Sequence, residues 1–187
     1  MMTEDELKDV LYGTPEMIDI LAIIRSLALS DSWLAAGSIR NLIWNLLSDK
    51  PLFDNDTDVD VIFFDQAMSY EETQALAEQL KRNYPNYDWE LQNQAHMHLH
   101  HPNTPPYLNS SDAIARFPET CTAIGARLTD TNQLAILAPY GLSDIVTFTV
   151  RPTPYFTETP DKLASYCARL AKKNWQDKWA NLKIVYA

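Results

Sequence analysis

The segment of residues 32–65, SWLAAGSIRNLIWNLLSDKPLFDNDTDVDVIFFD, decides the fold. Residues 32–36 are short and apolar, which favours a strand, and Gly37 then allows a tight turn. Residues 39–47 carry apolar side chains at helical spacing, and residues 57–64, after a polar loop with a proline, again favour a strand. A strand, a helix and a second strand in this order predict an α+β fold.

Two aspartates share one face of the second strand. Side chains alternate between faces along a strand, so Asp58 and Asp60 lie on one face and Val59 and Val61 on the other. At a Cα separation of roughly 6.5–7 Å, two unit charges repel by about 2–3 kcal/mol at an effective dielectric of ~20. A bridging cation removes this cost, and Mg²⁺ (or Mn²⁺) prefers carboxylate and phosphate oxygens. We therefore predict a metal site at the two aspartates.

The turn between the first strand and the helix predicts a phosphate site. Gly37 allows a sharp bend, and Ser38 can offer its hydroxyl group at the start of the helix. Free N–H groups at a helix start attract anions. Arg40, one turn into this helix, can place its guanidinium group against the same phosphates. Phosphate binding is therefore expected at Gly37, Ser38 and Arg40.

An apolar-Gly-Ser turn, a helix and then Asp-x-Asp on an apolar strand resemble the signature of the DNA polymerase beta-like nucleotidyltransferases. The wording AGSIRNLIWNLL and TDVDVIFFD is similar to that of a bacterial minimal nucleotidyltransferase-like family, and the similarity covers about residues 33–154. The resemblance implies a nucleotidyltransferase-like core, which is a small mixed β-sheet flanked by helices. A β-hairpin, formed by residues 122–128 and 133–137, and terminal helices are expected in addition.

The resemblance also implies a third carboxylate on a strand next to the Asp-x-Asp strand. Glu90 lies in the apolar-acid-apolar pattern of residues 87–91 and is the first candidate for this catalytic and metal-binding role. Asp144, in a turn before an apolar strand expected at residues 146–150, is the competing candidate.

Further substrate contacts are expected from a histidine group and an arginine. All four histidines lie within residues 94–101, and the spacing of His96, His98 and His100 matches no common zinc pattern. If this segment is extended, the three share a face; His98 is then a candidate phosphate or substrate contact, and an exposed or structural histidine is the alternative. Arg151, near a strand end, either holds substrate phosphate or pairs with an acid.

The chain of 187 residues is long enough for one nucleotidyltransferase-like domain. N-terminal helices occupy residues 1–30, the core residues 31–155 and C-terminal helices residues 156–187. In the last part, Trp175 and Trp179 are four residues apart, which favours a packed helix face with the neighbouring lysines in solvent. A nucleic-acid-binding patch is the alternative interpretation.

Composition limits the partners. Hydrophobic residues make up 46% of the chain, and it carries 25 acidic against 15 basic residues, a formal net charge of −10. This balance disfavours a long polyanionic acceptor but leaves nucleotides open, because one triphosphate needs only a local basic pocket and a metal. No apolar run approaches a membrane span, and the acidic start lacks a secretory signal, so we expect a cytoplasmic protein. The oligomeric state stays open.

The function expected from these residues is transfer of a nucleoside monophosphate from an NTP to an unidentified hydroxyl acceptor, with release of pyrophosphate. The resemblance leaves a second class open, a catalytically weak or inactive protein that binds a nucleotide or a partner, as a sensor or a toxin-antitoxin component does. A glycosyltransferase would also use Asp-x-Asp, but it does not explain the Gly-Ser helix start upstream.

Overall fold

The structure is a computed structural model and describes residues 2–100 and 104–186. Its elements in chain order are α1 (Glu4–Tyr12), α2 (Pro15–Ser26), β1 (Trp33–Ala35), α3 (Gly37–Leu46), β2 (Val59–Phe63), α4 (Tyr70–Asn83), β3 (Trp89–Asn93), a 3-10 turn (Met97–His100), α5 (Ser110–Ala115), β4 (Gly125–Leu128), β5 (Leu134–Leu137), α6 (Ser143–Val146), β6 (Thr149–Val150), α7 (Pro154–Thr157), α8 (Pro160–Leu170), α9 (Trp175–Lys178) and β7 (Lys183–Ile184).

A five-stranded mixed sheet forms the centre of the molecule. Its strand order is β3-β2-β1-β4-β5. Strands β2 and β3 run parallel, and the other neighbours run antiparallel. Strands β4 and β5 form the predicted hairpin, and β6 pairs with β7 in a separate two-stranded sheet. The predicted α+β fold, a small mixed sheet flanked by helices, is confirmed.

The register between β1 and β2 brings the turn and the aspartates together. Leu34 lies opposite Val61, and Trp33 lies opposite Ile62. Because the two strands are antiparallel, the end of β1 meets the beginning of β2. The Gly-Ser turn, which follows β1 directly, therefore lies beside Asp60.

Helix α3 joins the sheet to the C-terminal part of the chain through Trp44, whose side chain is fully buried. The Trp44 indole N–H donates to the Ile145 carbonyl at 3.0 Å. Its ring contacts Trp175 and Trp179 edge to face, at centroid distances of 5.9 and 5.0 Å. The two C-terminal tryptophans are thus packed, as their spacing predicted.

One local prediction is wrong, and one condition stated for the histidines is not met. The strand expected at residues 146–150 begins only at Thr149, because α6 occupies Ser143–Val146 and Phe148 turns the chain with φ 54°. The histidine segment is not extended, since Met97–His100 forms a 3-10 turn. The fourth histidine, His101, lies outside the described residues.

Across the two described ranges, no helix combines the length and the apolar character that crossing a bilayer requires.

We expect Trp44→Ala to lower the free energy of unfolding by about 3–5 kcal/mol, because it removes a buried aromatic ring and leaves a cavity. Urea unfolding measures the loss. Leu47→Ala, at an exposed position just after the same helix, is the control and should cost less than about 1 kcal/mol. Similar losses for both variants would contradict the central packing role of Trp44.

Candidate active site

The turn before α3 is made by Ala36 rather than by Gly37. Ala36 has φ 54° and ψ −116°, a region that is essentially reserved for glycine and costs about 1–3 kcal/mol for other residues. Its N–H donates to the Ile124 carbonyl at 3.0 Å, which holds the turn against the chain before β4. The expectation that Gly37 supplies the sharp bend is therefore wrong.

Gly37 instead keeps space open between two charged groups. A Cβ atom there would lie 3.7 Å from Arg40 Nη2 and 3.8 Å from Asp60 Oδ2, at ordinary contact distances. A larger side chain would project between the guanidinium group and the carboxylate. Gly37 thus lets a ligand approach both groups, which agrees with a binding site at this turn.

Asp60 is the most perturbed carboxyl group of the site. Its pKa is raised to about 7, first by burial, then by the negative charges of Glu90 and Asp58. The nearby Arg40 and a hydrogen bond from the Gly37 N–H act in the opposite direction. A carboxyl group with a pKa near neutrality at the edge of a cavity is typical of functional sites.

Asp58 and Ser38 connect the beginning of β2 to the start of α3. The Ser38 hydroxyl donates to the Asp58 carbonyl at 3.0 Å, and Ser38 is buried, whereas the Asp58 residue is exposed. The hydrogen of the Ser38 hydroxyl group is therefore already used in a hydrogen bond within the protein. The contact holds the aspartate strand against the helix start.

Glu90 lies next to Asp60 across the parallel β2–β3 pair. Residues in register on neighbouring strands point to the same face, so the Glu90 carboxylate raises the pKa of Asp60. Glu90 is exposed and does not line the cavity described below.

The donor set of the two aspartates fits a hard divalent cation. Mg²⁺ in proteins is usually held by one or two carboxylates together with substrate phosphates. The repulsion that Asp58 and Glu90 exert on Asp60 is the observation that fits a counter-ion here. Over the described parts of the chain, no three or more His, Cys, Asp or Glu side chains are grouped closely enough to hold a metal by themselves. Any ion at this site therefore needs oxygen ligands from a substrate or from water.

Arg40 is buried beside this pair. It donates to Thr122 Oγ1 at 3.1 Å and to Asn41 Oδ1 at 2.8 Å, and its guanidinium group lies 4.2 Å from the Trp175 ring centroid. Burial lowers the pKa of Arg40, and no carboxylate of the described residues comes within ion-pair distance. The charges of Glu119 and Asp60 act on it only from beyond that distance, so its guanidinium group can still bind a phosphate group.

A cavity of about 400 Å³ lies at the aspartates and the start of α3. It is lined by Gly37, Arg40, Asp58 and Asp60 among the predicted residues. Three further cations line it from the C-terminal part of the chain, namely Arg169, Lys173 and Lys178. Trp175 and Trp179 complete the same wall.

The basic and aromatic C-terminal segment allowed two interpretations, a packed helix face with its lysines in solvent and a nucleic-acid-binding patch. The spacing of the two tryptophans correctly predicted packing, and Lys173 is exposed to solvent, as the same interpretation expects. Lys173 and Lys178 also line the cavity, because the packing of Trp175 and Trp179 on Trp44 turns this segment toward the aspartates.

Three predicted contacts lie away from the cavity. Asp144 accepts from Thr120 Oγ1 at 2.6 Å and pairs with Arg151 at 2.9 Å, so each charge is neutralised by the other. His98 follows the far end of β3, whereas Asp60 lies near the beginning of β2, which runs parallel to it. None of the three residues lines the cavity.

We expect Asp60→Asn to stabilise the metal-free protein at pH 8 by about 2–4 kcal/mol, and by less at pH 5. Because folding raises the pKa of Asp60 to about 7, the folded state holds this proton more tightly than the unfolded chain. The resulting stability is fully present below the unfolded pKa of about 4 and is lost as the pH rises through about 7. Urea unfolding at the two pH values, without divalent ions, measures the difference.

The control is Asp49→Asn, which removes the same charge from an exposed loop position. If Asp60→Asn changed the free energy of unfolding equally at both pH values, as the control is expected to do, the raised pKa of Asp60 would be contradicted.

Solved structures with the same architecture include a very similar one. A protein solved by NMR and described as revealing a CCA-adding enzyme head domain is 52% identical, with a TM-score of 0.93 over 98% of this chain and 96% of that chain. A tRNA nucleotidyltransferase complexed with a primer tRNA and an incoming ATP analogue has a TM-score of 0.51 at 16% identity, over 89% of this chain and 46% of that chain. The structure of a tRNA-processing enzyme complex has a TM-score of 0.51 at 17% identity, over 89% of this chain and 43% of that chain.

This chain spans less than half of the two tRNA enzymes, which at such low identity show a shared fold alone. No curated protein sequence matches the chain. Residues 22–184 match a family model described as "Nucleotidyltransferase". The chain therefore belongs to this nucleotidyltransferase family, which confirms the resemblance carried by its Gly-Ser turn and Asp-x-Asp strand.

Proposed function

We propose that this protein is a cytoplasmic Mg²⁺-dependent nucleotidyltransferase that transfers a nucleoside monophosphate from an NTP to a hydroxyl acceptor and releases pyrophosphate. Membership of the family supports nucleotidyl transfer in general. The observation that carries the proposal is the position of the Asp60 carboxylate, which lies beside Asp58 and against the Gly37 N–H in a cavity lined by Arg40.

The residues of the cavity would hold the metal, bind the phosphates and leave room for the substrate. Mg²⁺ or Mn²⁺, held by Asp58 and Asp60, supplies neutralisation of phosphate charge and polarisation of a phosphoryl oxygen. Arg40 and the N–H groups at the start of α3, including that of Ser38, bind the β- and γ-phosphates that will leave. Gly37 keeps the approach to these groups open.

In the transfer step, the acceptor oxygen forms a bond to the α-phosphorus, and the bond from that phosphorus to the bridging oxygen of the β-phosphate breaks. Pyrophosphate takes the electron pair of the broken bond and leaves. The Glu90 carboxylate takes the proton of the acceptor hydroxyl, directly or through a water molecule. The raised pKa of Asp60 applies to the metal-free protein, and a bound divalent cation would favour its ionised form.

The acceptor class to test first is the 3′ hydroxyl of an RNA. This choice follows from the 52% identical relative that is described as a CCA-adding enzyme head domain. The net charge of −10 argues against a long basic track for RNA on this chain. An RNA end that enters the cavity, with few contacts elsewhere, agrees with both observations.

We expect Asp58→Asn and Asp60→Asn each to lower pyrophosphate release by about 100-fold or more, because each removes a charge that holds the metal and the phosphates. Release is measured with each of the four NTPs and Mg²⁺, with tRNA and small hydroxyl compounds as acceptors. Asp49→Asn removes an exposed charge nine residues before Asp58 in the chain and should leave the rate unchanged. Circular dichroism checks the fold of each variant. Rates in the Asp58 and Asp60 variants equal to that of the control would contradict the proposal.

Nucleotide or partner binding without turnover is the second candidate function. It is favoured by the lack of a three-residue metal cluster within residues 2–100 and 104–186, and by the pairing of Asp144 with Arg151. Calorimetric titration of NTPs with and without Mg²⁺ detects binding, and the pyrophosphate assay detects transfer. Binding without release across all acceptors would favour this second function.

A further inference from the structure

We propose that Arg169 and Lys173, in the C-terminal part of the chain, bind the triphosphate of the incoming nucleotide. This inference rests on the proposed function and adds a substrate-binding wall that lies outside the Gly-Ser turn and the Asp-x-Asp strand. Both residues line the cavity that contains Asp58 and Asp60.

The distribution of charge in the cavity supports the assignment. Four cationic side chains line it, Arg40, Arg169, Lys173 and Lys178, although the whole chain has a net charge of −10. The acidic lining residues come from the loop before β2 and from β2 itself. A polyphosphate that is bound together with a divalent cation matches a cavity with acids on one part of its lining and cations on another.

Arg169 is held in place by a buried acid. Its Nε donates to Glu119 Oε1 at 2.7 Å, and Glu119 is fully buried while the Arg169 side chain is 37% exposed. Glu119 Oε2 has no hydrogen-bond partner among the described residues. The contact uses only Nε, so the outer nitrogens of Arg169 are available for a phosphate at the cavity.

Lys173 is exposed, and none of the carboxylates that the structure describes lies within ion-pair distance of it. Its Nζ lies 6.0 Å from the Trp175 ring centroid. Lys178 differs, because it pairs with Asp54 and its carbonyl accepts a hydrogen bond from Lys50. Lys173 is therefore the more available of the two lysines for a ligand.

The tryptophans fix this wall relative to the aspartates. Trp175 lies against the Arg40 guanidinium group, and the Trp179 indole N–H donates to Asn45 Oδ1 at 3.0 Å. Both contacts join the C-terminal segment to α3, which also begins at the aspartate site. The two cations thus face the same cavity without a large rearrangement.

A triphosphate fits these cations better than an RNA backbone does. They converge on one cavity of about 400 Å³, a size typical of small-ligand sites. Binding of a nucleic-acid strand uses a continuous basic groove with several stacking aromatic side chains. One face of the Trp175 ring is occupied by Arg40, and Trp179 is buried.

The test compares Lys173→Gln with Lys172→Gln in the full chain. Lys172 is the adjacent exposed lysine and does not line the cavity, so this control removes the same charge. Calorimetry measures the Kd of the tightest-binding NTP and of the corresponding NMP, each with Mg²⁺. We expect Lys173→Gln to raise the NTP Kd about 5- to 50-fold, with NMP binding changed less than about twofold, and Lys172→Gln to leave both unchanged.

Arg169→Gln should give the same pattern, but it leaves Glu119 buried without its partner, so Lys173→Gln decides the test. The inference is overturned if Lys173→Gln weakens NTP binding no more than the control, or weakens NMP equally. It is also overturned if only the affinity for a short single-stranded RNA falls.

Pyrophosphate release separates this inference from the proposed function. If the wild-type protein binds NTP in the expected pattern but releases no pyrophosphate with any acceptor, the transfer reaction fails and the triphosphate site stands. If it releases pyrophosphate while Lys173→Gln leaves the KM for NTP unchanged, only the triphosphate site fails.

Discussion

The contact between the Asp60 carboxylate and the turn at Gly37 is the constraint on which the site depends. It exists because β1 and β2 pair antiparallel, with Leu34 opposite Val61, so that the chain leaves β1 beside Asp60. Ala36 adopts a strained conformation at this point, and Ser38 binds the main chain of Asp58. The sheet register thus places a helix start and two aspartates at one cavity.

This arrangement places like charges together, which the protein alone does not neutralise. Asp60 faces repulsion from both Glu90 and Asp58. Arg40 is buried among Trp44, Trp175 and neutral polar groups rather than against a carboxylate. The aspartates and Arg40 form no ion pair with each other, although the charge of Arg40 opposes the rise in the pKa of Asp60. Under the proposed function, a metal-bound polyphosphate would compensate both charges.

The sequence predicted the parts of the site that depend on local patterns. The strand pattern and the apolar-Gly-Ser turn named four residues that line one cavity, Gly37, Arg40, Asp58 and Asp60. The bend itself is at Ala36, and the roles of these residues stay predictions. Such patterns show which residues share a face, but they do not show partners far along the chain. The pairing of Asp144 with Arg151 and of Arg169 with Glu119 arises from tertiary packing.

The position of Lys173 at the cavity has the same origin, because the packing of Trp175 on Trp44 places it there. The predicted strand at residues 146–150 failed for a related reason. Its apolar residues instead pack in the core from α6 and the turn at Phe148. Local patterns therefore located most elements, the two aspartates and Arg40, while the place of Arg169 and Lys173 at the cavity required the folded chain.

The most direct measurement is a crystal structure of the wild-type protein with Mg²⁺ and an NTP analogue that cannot be cleaved between its α- and β-phosphates. The account predicts metal density bound to Asp58 and Asp60, with the phosphates beside the start of α3 and Arg40. A metal or nucleotide bound elsewhere, for example in the cavity lined by Arg25 and Arg127, with the aspartates left free, would contradict it.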